Sequence, residues 1–137
     1  MAAVILDTGC IVALVDRREQ YHPQCVKAMT ALSEPPITCE AVIVECLYLL
    51  RHLDGAAEAI LEDVAKGLYQ LPYVLAARAA EVSRLMKKYA DVPMDLADAC
   101  LVDLATQMGT GRILTLDGDF KIYRWGKNRP FELLIEF

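Results

Sequence analysis

Two aspartates in this chain of 137 residues stand where α/β proteins usually place their ligands. Asp7 directly follows the apolar run 4–6, and Asp117 directly follows the apolar run 113–116. Both runs are typical of buried strands, and in open α/β sheets ligands bind beyond the carboxyl ends of the strands. Aspartates are also common in turns and at helix N-caps, so either residue alone is as compatible with a structural role as with a functional one.

Glu45 is the only charged residue in the apolar segment 41–50. A helix that is apolar on every side is normally buried, and an unpaired carboxylate inside it costs several kcal/mol. Glu45 therefore needs a cation, an arginine or lysine partner, or a proton. Because buried acids of this kind cluster at functional sites, we favour a metal-binding or catalytic role over an internal salt bridge.

Asp95 and Asp98, three residues apart, share one face at the start of another predicted helix. Asp95 suits the N-cap, and the helix dipole favours an acid at the position of Asp98. Capping explains Asp98 less well, because the residues that follow it, 99–102, are apolar and predict burial. Asp103 lies roughly 140° further round the helix, so we expect it to point elsewhere, into solvent.

Asp7, Glu45, Asp98 and Asp117 thus come from four separate elements. Packed together without cations, four carboxylates would repel one another and raise one another's pKa values. With Mg²⁺ or Mn²⁺ they become ordinary oxygen ligands, and the natural chemistry is metal-assisted hydrolysis of a phosphodiester. The sequence shows no histidine pair of the kind that drives attack by an RNA 2′-hydroxyl. We therefore expect a water nucleophile, which leaves a 5′-phosphate and a 3′-hydroxyl.

The elements that would position these acids alternate between strands and helices. This alternation implies βαβ units, and hence a mainly parallel sheet with helices on both faces, in a single domain spanning residues 1–137. Strands are predicted at 4–6, 37–39 and 112–116, with short candidates at 68–71 and 131–135, and helices at 10–15, 23–32, 41–53, 56–66, 74–89 and 95–109.

Composition narrows the class of protein. With 55% hydrophobic residues the chain has enough apolar surface for one packed core. The five cysteines form no C-x-x-C pair and have no zinc-like spacing to the two histidines, so we expect reduced thiols and no zinc. The net charge of −5 argues against a generic nucleic-acid coat protein. Neither a secretory signal nor a membrane-spanning run is evident, so a cytoplasmic protein without membrane association is expected.

Three segments and one helical acid together resemble a known family. Residues 4–9, 93–99 and 114–120, with Glu45, closely resemble the PIN-domain family, and within it the VapC-type toxins of toxin–antitoxin pairs. The resemblance covers essentially the whole chain, with the motifs in order. It implies a three-layer, doubly wound α/β/α sandwich whose mainly parallel central sheet has about four to five strands, and a Mg²⁺- or Mn²⁺-dependent endoribonuclease.

The same resemblance implies roles for individual residues and for partners. The carried-over metal ligands and catalytic acids are Asp7, Glu45, Asp98 and Asp117, with Asp119 as an alternative to Asp117. The resemblance also implies a homodimer, and inhibition by a small antitoxin whose tail enters the acidic groove. The residues expected to lie beside the ligands, without binding the cation themselves, are Thr8, Asp95 and Thr115.

An RNA substrate would also need cationic side chains near the acids. The chain is most basic just after Asp117, where Tyr123 and Trp125 are candidate stacking surfaces. A solvated loop with ordinary surface charge explains this stretch equally well. The candidate phosphate contacts are Lys121, Arg124, Lys127 and Arg129, and, on the loop after the first helix, Arg17 and Arg18.

Two rival functions and one interface remain open. The main alternative is a non-catalytic PIN-like module that binds RNA or a partner, and the complete set of four acids argues against it. An α/β phosphotransfer protein fits poorly; a haloacid-dehalogenase-like phosphatase, for example, would have a second aspartate where Gly9 stands. The helices at 41–53 and 56–66 carry much apolar surface, which is compatible with a dimer interface as well as with an internal core.

Overall fold

The computed structural model describes residues 2–137 and contains six α-helices and five short strands in that range. A single 3₁₀ turn at Gly118–Lys121 follows the second strand. The helices are α1 (Thr8–Val15), α2 (His22–Thr30), α3 (Glu40–Leu49), α4 (Ala56–Ala65), α5 (Leu75–Lys88) and α6 (Leu96–Met108), and the strands are β1 (Ile5–Leu6), β2 (Arg112–Leu114), β3 (Arg124–Trp125), β4 (Arg129–Pro130) and β5 (Glu132–Leu133).

The central sheet is parallel and has the order β1-β2-β5. Ile5 lies opposite Ile113, and Ile113 lies opposite Leu133. On the other side of β1 the sheet is continued by single parallel bridges, from Ile5 to Ile37 and from Ile37 to Gln70. The three strands and two bridging residues make five neighbouring backbone segments, in agreement with the α/β class and the sheet predicted from the sequence.

The predicted strand at 37–39 is reduced to one bridge for a local reason. Pro35 and Pro36 precede it and have no backbone N–H to give to a ladder, and Cys39 is already the N-cap of α3. The backbone N–H groups that remain, those of Ile37 and Thr38, donate to the carbonyls of residues 4 and 70, and the carbonyls of Pro36 and Ile37 accept from residues 70 and 6. The candidate strand at 68–71 is likewise represented by Gln70 alone, since its only neighbour is this shortened segment.

Helix α6 lies at the centre of the molecule, and every residue from Ala97 to Ala105 is buried. Helix α5 packs on α6, α1 packs on α2 and α3, and α3 also contacts α6 and α4. Both ends of α6 follow the sequence signals: Asp95 is the N-cap, and Gly109 ends the helix in the left-handed conformation that favours glycine. The position of α6 brings its first turn to the edge of the sheet where Asp7 lies.

Three expectations from the sequence are wrong in detail. Helix α3 is not buried on every side, because Val44 and Tyr48 are 66% and 63% exposed, and it ends at Leu49 rather than at residue 53. Asp103 does point away from Asp98, but into the core rather than into solvent.

The partners of Asp103 explain its burial. Its carboxylate accepts two hydrogen bonds from Arg78, at 2.8 and 2.7 Å, and a third from Tyr73 Oη at 2.7 Å. A buried carboxylate with this many donors and a paired charge is compensated for its lost hydration. The contacts join α5, α6 and the segment between α4 and α5, so Asp103 is structural.

The hairpin formed by β3 and β4 was not predicted. Trp125 lies opposite Arg129, and the turn between them contains Gly126 and Asn128, both with positive φ. Glycine and asparagine are the residues that adopt this conformation most easily, so the sequence did contain a turn signal. All five cysteines are buried free thiols, as expected. None of the helices in residues 2–137 has the length and apolar character that crossing a bilayer requires.

Candidate active site

Asp7 lies at the carboxyl end of β1, where it is the N-cap of α1. One carboxylate oxygen, Oδ1, accepts from the backbone N–H of Thr8 at 2.7 Å, and the other, Oδ2, accepts from the Thr115 hydroxyl at 2.7 Å. Because β1 and β2 are parallel neighbours, their carboxyl ends meet at one edge of the sheet, which brings Thr115 and Asp7 together across 108 positions of sequence.

Glu45 reaches the same edge from the middle of α3. Its Oε1 accepts from the Thr8 hydroxyl at 2.7 Å, and α1, which begins at Thr8, packs directly on α3. Thr8 thus contacts two of the expected acids, one through its backbone N–H and one through its side chain. Thr8 and Thr115, the two threonines that the resemblance placed beside the acids, are thus both hydrogen-bonded to them.

Asp98 is in the first turn of α6, and its backbone N–H donates to the N-cap Asp95 Oδ1 at 2.8 Å. Its own carboxylate oxygen Oδ2 accepts from the Tyr123 hydroxyl at 3.0 Å. Both carboxylates lie at the amino end of the helix, where the dipole favours negative charge. Asp98 is buried, whereas Asp95 is exposed.

Asp117 and Asp119 follow β2 in the turn that leads into the 3₁₀ turn. Asp117 Oδ1 accepts from the backbone N–H of Asp119 at 2.9 Å, and the N–H of Asp117 donates to Thr115 Oγ1 at 3.0 Å. The Thr115 hydroxyl therefore connects Asp117 to Asp7. Burial raises the pKa of the Asp119 carboxyl, and the charge of Asp117 raises it further.

The pKa values show that these carboxyls influence one another. Burial, more than any other influence, raises the pKa of Asp7 to about 6, and the charges of Asp117 and Asp95 add to the rise. Burial likewise raises the pKa of Asp98 to about 7, with further contributions from Asp95, Asp7 and Asp117. The pKa of Glu45 is raised by burial and by the carboxyls of Asp95 and Asp7.

We call Asp7, Glu45, Asp95, Asp98 and Asp117 the acid cluster. Within residues 2–137 no arginine, lysine or histidine forms an ion pair with any of its members; the ion pairs of that range involve other acids, such as Asp16 and Asp103. Unscreened like charges in a partly buried site favour a divalent cation, and carboxylate oxygens are the ligands that Mg²⁺ and Mn²⁺ prefer. The donor set therefore fits such an ion.

The fit is one of donor chemistry. In the described part of the chain, residues 2–137, no group of three acidic, histidine or cysteine side chains is already arranged to coordinate a metal ion. Hydrogen bonds hold Oδ2 of Asp98, Oε1 of Glu45 and Oδ1 of Asp117, and each carboxylate has a second oxygen for other interactions.

Comparison with known proteins gives the family. A model of the PIN domain matches residues 4–126. The chain belongs to the PIN-domain family. Ribonuclease VapC26 of Mycobacterium tuberculosis is 31% identical over 116 residues, which cover 83% of this chain and 86% of that protein. The crystal structure of VapC20 from the same organism, a toxin that cleaves the sarcin-ricin loop, matches with a TM-score of 0.81 and 18% identity, over 93% of this chain and 100% of that one.

These matches confirm the VapC-type resemblance, and the structural match confirms the fold class.

Most of the basic side chains expected to contact phosphates are exposed in the structure of this PIN domain. Arg17, Lys127 and Arg129 are exposed, and Arg129 lies over the Trp125 ring, 5.4 Å from its centroid. Lys121 is also exposed, with its ammonium 5.0 Å from the centroid of the Phe137 ring.

Two of the basic side chains have other partners. Arg124 Nη1 donates to the backbone carbonyls of residues 121, 122 and 123, so this guanidinium caps the 3₁₀ turn. Arg18 pairs with Asp16 at 3.2 Å on the loop after α1. These contacts weaken the case for Arg124 and Arg18 as contacts to a phosphate backbone.

The structure contradicts the expectation that Tyr123 is a stacking surface. Its side chain is fully buried, and its hydroxyl donates to Asp98. The sequence has no signal for this contact, because it depends on how the 3₁₀ turn folds the chain back against the first turn of α6. The influence of the Asp95 carboxyl on the pKa of Glu45 was also missed, since it acts between the N-cap of α6 and α3, which are 50 positions apart in sequence.

Proposed function

We propose that this PIN domain is an endoribonuclease that hydrolyses RNA phosphodiester bonds with the help of Mg²⁺ or Mn²⁺. The observation that carries the proposal is the acid cluster, whose charges lie close together and have no cationic side chain as partner within residues 2–137. The names of the two related proteins, a ribonuclease and a toxin that cleaves the sarcin-ricin loop, support RNA as the substrate.

In this proposal Asp7, Glu45, Asp98 and Asp117 hold the cation, as the resemblance implies. When bound, the cation polarises the phosphate, lowers the pKa of a water and stabilises the leaving oxygen. Asp7 and Asp98 are the most constrained acids of the set, since each is buried and hydrogen-bonded to a buried hydroxyl. Asp117 is less buried and lies beside Asp7, where it can orient the attacking water.

Thr8 and Thr115 have a positioning role. A hydroxyl that donates to a carboxylate fixes its rotamer and leaves the carboxylate negatively charged. Thr8 does this for Glu45, and Thr115 does it for Asp7. The exposed cations of residues 121–129, with Arg17, are proposed to hold the RNA backbone, and the shape of the loops selects the target.

The proposal is tested by incubating the purified chain with 5′-labelled RNA in Mg²⁺, in Mn²⁺ and in EDTA. We expect cleavage only with the cation, and products that carry a 5′-phosphate. Asp98→Asn and Asp7→Asn are expected to lower the rate at least about 100-fold. Asp91→Asn, in the exposed turn before α6, is the matched control and should cleave like the wild type. Full activity in EDTA or in Asp98→Asn would contradict the proposal.

The proposal includes a toxin role in the cytoplasm, a small antitoxin as inhibitor and a homodimer as the assembly. The related VapC proteins support the toxin role and the antitoxin. The homodimer is supported by the exposed apolar face of α3, formed by Val44, Tyr48 and Leu49 beside Glu45. Apolar surface of this kind, next to a polar site, is typical of protein contacts. Light scattering after gel filtration should show a dimer, and Tyr48→Glu should weaken it. A strict monomer in the wild type would count against this interface.

A further inference from the structure

The Tyr123 side chain is held rigidly against the acid cluster. It is fully buried, and its hydroxyl donates to Asp98 Oδ2 at 3.0 Å. Two aromatic rings pack edge-on against the Tyr123 ring, Tyr89 and Phe120, each with a centroid distance of 5.1 Å. A buried tyrosine with so little freedom presents its hydroxyl at one fixed point.

Helix α6 contains a second aspartate, Asp103, that accepts a hydrogen bond from a buried tyrosine, and there the contact is purely structural. Tyr73 is also buried and donates to Asp103 Oδ2 at 2.7 Å. Asp103, however, is neutralised by the Arg78 guanidinium, which occupies both of its oxygens. That carboxylate accepts three hydrogen bonds, and its charge is already paired, so it has no need of a cation.

Asp98 differs from Asp103 in this respect. Its Oδ2 accepts from Tyr123, and within residues 2–137 neither of its oxygens is paired with a cationic side chain. The neighbouring charges are those of Asp95, Asp7 and Asp117. The Tyr123 hydroxyl therefore fixes one oxygen of a carboxylate whose other oxygen, Oδ1, remains available in the acid cluster.

We propose that Tyr123 is a positioning residue of the cation site, and that it holds the Asp98 carboxylate in the rotamer that offers Oδ1 to a divalent cation. The inference rests on the proposed function of the acid cluster. Partners that orient a metal ligand commonly contribute about 10- to 100-fold to metal affinity. Tyr123 would act through Asp98 and touch neither the RNA nor the cation.

The test compares Mn²⁺ binding to Tyr123→Phe and Tyr73→Phe by titration calorimetry, with no RNA present. Each variant removes one buried hydroxyl from one aspartate of α6 and keeps the ring in place. We expect Tyr123→Phe to weaken Mn²⁺ binding about 10-fold and Tyr73→Phe to leave it unchanged. In cleavage assays, the activity of Tyr123→Phe should be low at limiting Mn²⁺ and should recover at high Mn²⁺, with KM for RNA unchanged.

A measurement on the wild type covers the case in which Tyr123→Phe does not fold. With ¹³Cζ-labelled tyrosine, addition of Mg²⁺ should shift the resonance of Tyr123, because its acceptor becomes a cation ligand. The resonance of Tyr73 should stay in place. The Tyr123 resonance is identified as the one that shifts in metal-free Asp98→Asn, because this variant changes the acceptor of its hydroxyl.

The outcomes separate this inference from the proposed function. A wild type that binds Mn²⁺ while Tyr123→Phe binds it equally well overturns the role of Tyr123 and leaves the proposed function intact. Equal weakening in Tyr123→Phe and Tyr73→Phe overturns it as well, since the effect would then be one of general stability. A wild type that binds neither Mn²⁺ nor Mg²⁺ overturns both.

Discussion

The Thr115 hydroxyl donates to Asp7 Oδ2 across 2.7 Å and accepts the backbone N–H of Asp117 at 3.0 Å. One fully buried side chain at the end of β2 thus determines where two members of the acid cluster lie relative to each other. The Thr115 hydroxyl therefore acts as a donor to one aspartate and as an acceptor from the other at the same time.

Replacing this hydroxyl should affect both stability and activity. In Thr115→Val the Asp7 carboxylate keeps its burial but loses a donor, and a buried acceptor left without its partner costs about 1–3 kcal/mol. If Asp7 is a cation ligand as proposed, cleavage should fall about 10- to 100-fold, since Asp7 loses the hydroxyl that orients it. Urea unfolding and the RNA assay measure the two effects.

The matched control for this variant is Thr30→Val. The Thr30 hydroxyl donates only to the Val26 carbonyl within its own exposed helix face, at 2.8 Å. We expect a change within about 0.5 kcal/mol and normal cleavage. Equal behaviour of the two variants would show that the Thr115 contact has no special importance for the site.

The raised pKa values predict how pH acts on the metal-free fold. Burial, followed by the neighbouring carboxyls, raises the pKa of Asp7 to about 6 and that of Asp98 to about 7, above their unfolded values near 3.8. Between the unfolded and the folded pKa values, from about pH 4 to about pH 7, the folded chain binds more protons than the unfolded chain. The stabilising contribution of the two groups is complete below about pH 4 and is lost as the pH rises through 6 to 7.

Asp98→Asn removes this charge at every pH. In EDTA at pH 8 the variant should therefore be more stable than the wild type, by on the order of 1–3 kcal/mol, and the difference should shrink towards pH 4. Urea unfolding of both proteins at several pH values measures it. A wild type as stable as the variant at pH 8 would show that the Asp98 charge is not destabilising in the metal-free fold.

The hairpin β3–β4 depends on the absence of a side chain at Gly111. A Cβ at this position would overlap with the indole ring of Trp125, whose Nε1 donates to the Pro130 carbonyl at 3.1 Å. Gly111→Ala should displace the indole and cost about 1–3 kcal/mol, as overpacking usually does. Trp125 is the only tryptophan, so a red-shifted emission maximum reports the displacement directly. Gly118→Ala, where a Cβ meets open space, is the control.

Lys127 at the tip of this hairpin is exposed and is proposed to contact a phosphate. Binding of RNA to the Asp98→Asn protein should weaken in Lys127→Ala, and the slope of log affinity against log salt should fall by about one. Lys66→Ala removes a lysine that pairs with Glu62 on α4, and it should leave the slope unchanged. Fluorescence anisotropy over a range of salt concentrations gives both slopes, and equal slopes would exclude Lys127.

Sequence patterns predicted much of the fold because its long elements have strong local signals. Helix α5 shows clear helical periodicity, and α6 has an N-cap aspartate and a C-terminal glycine at the expected ends. The strands are shorter than predicted because hydropathy marks what is buried and says little about which backbone groups pair. Ile37 is as apolar as Ile5, yet the flanking prolines and the start of α3 leave it only a bridge.

The candidate site was predictable to the level of its acids but not to that of their partners. Asp7, Glu45, Asp98 and Asp117 stand out as charges next to apolar runs, and the structure brings them to one edge of the sheet. Arg78 and Asp103, by contrast, are unremarkable in sequence, since each is one charge on an amphipathic or mixed helix. Their pairing arises only from the packing of α5 on α6.

The hydroxyls of Thr115 and Tyr123 belong to a late stretch of the polypeptide, whereas Asp7, Glu45 and Asp98 are all made earlier. A nascent chain therefore carries most of its acids well before it carries the donors that orient them. Until residue 123 has left the ribosome and folded back, the growing polypeptide lacks the hydroxyl that donates to Asp98. The acid cluster is therefore ordered only after almost the whole domain has been synthesised.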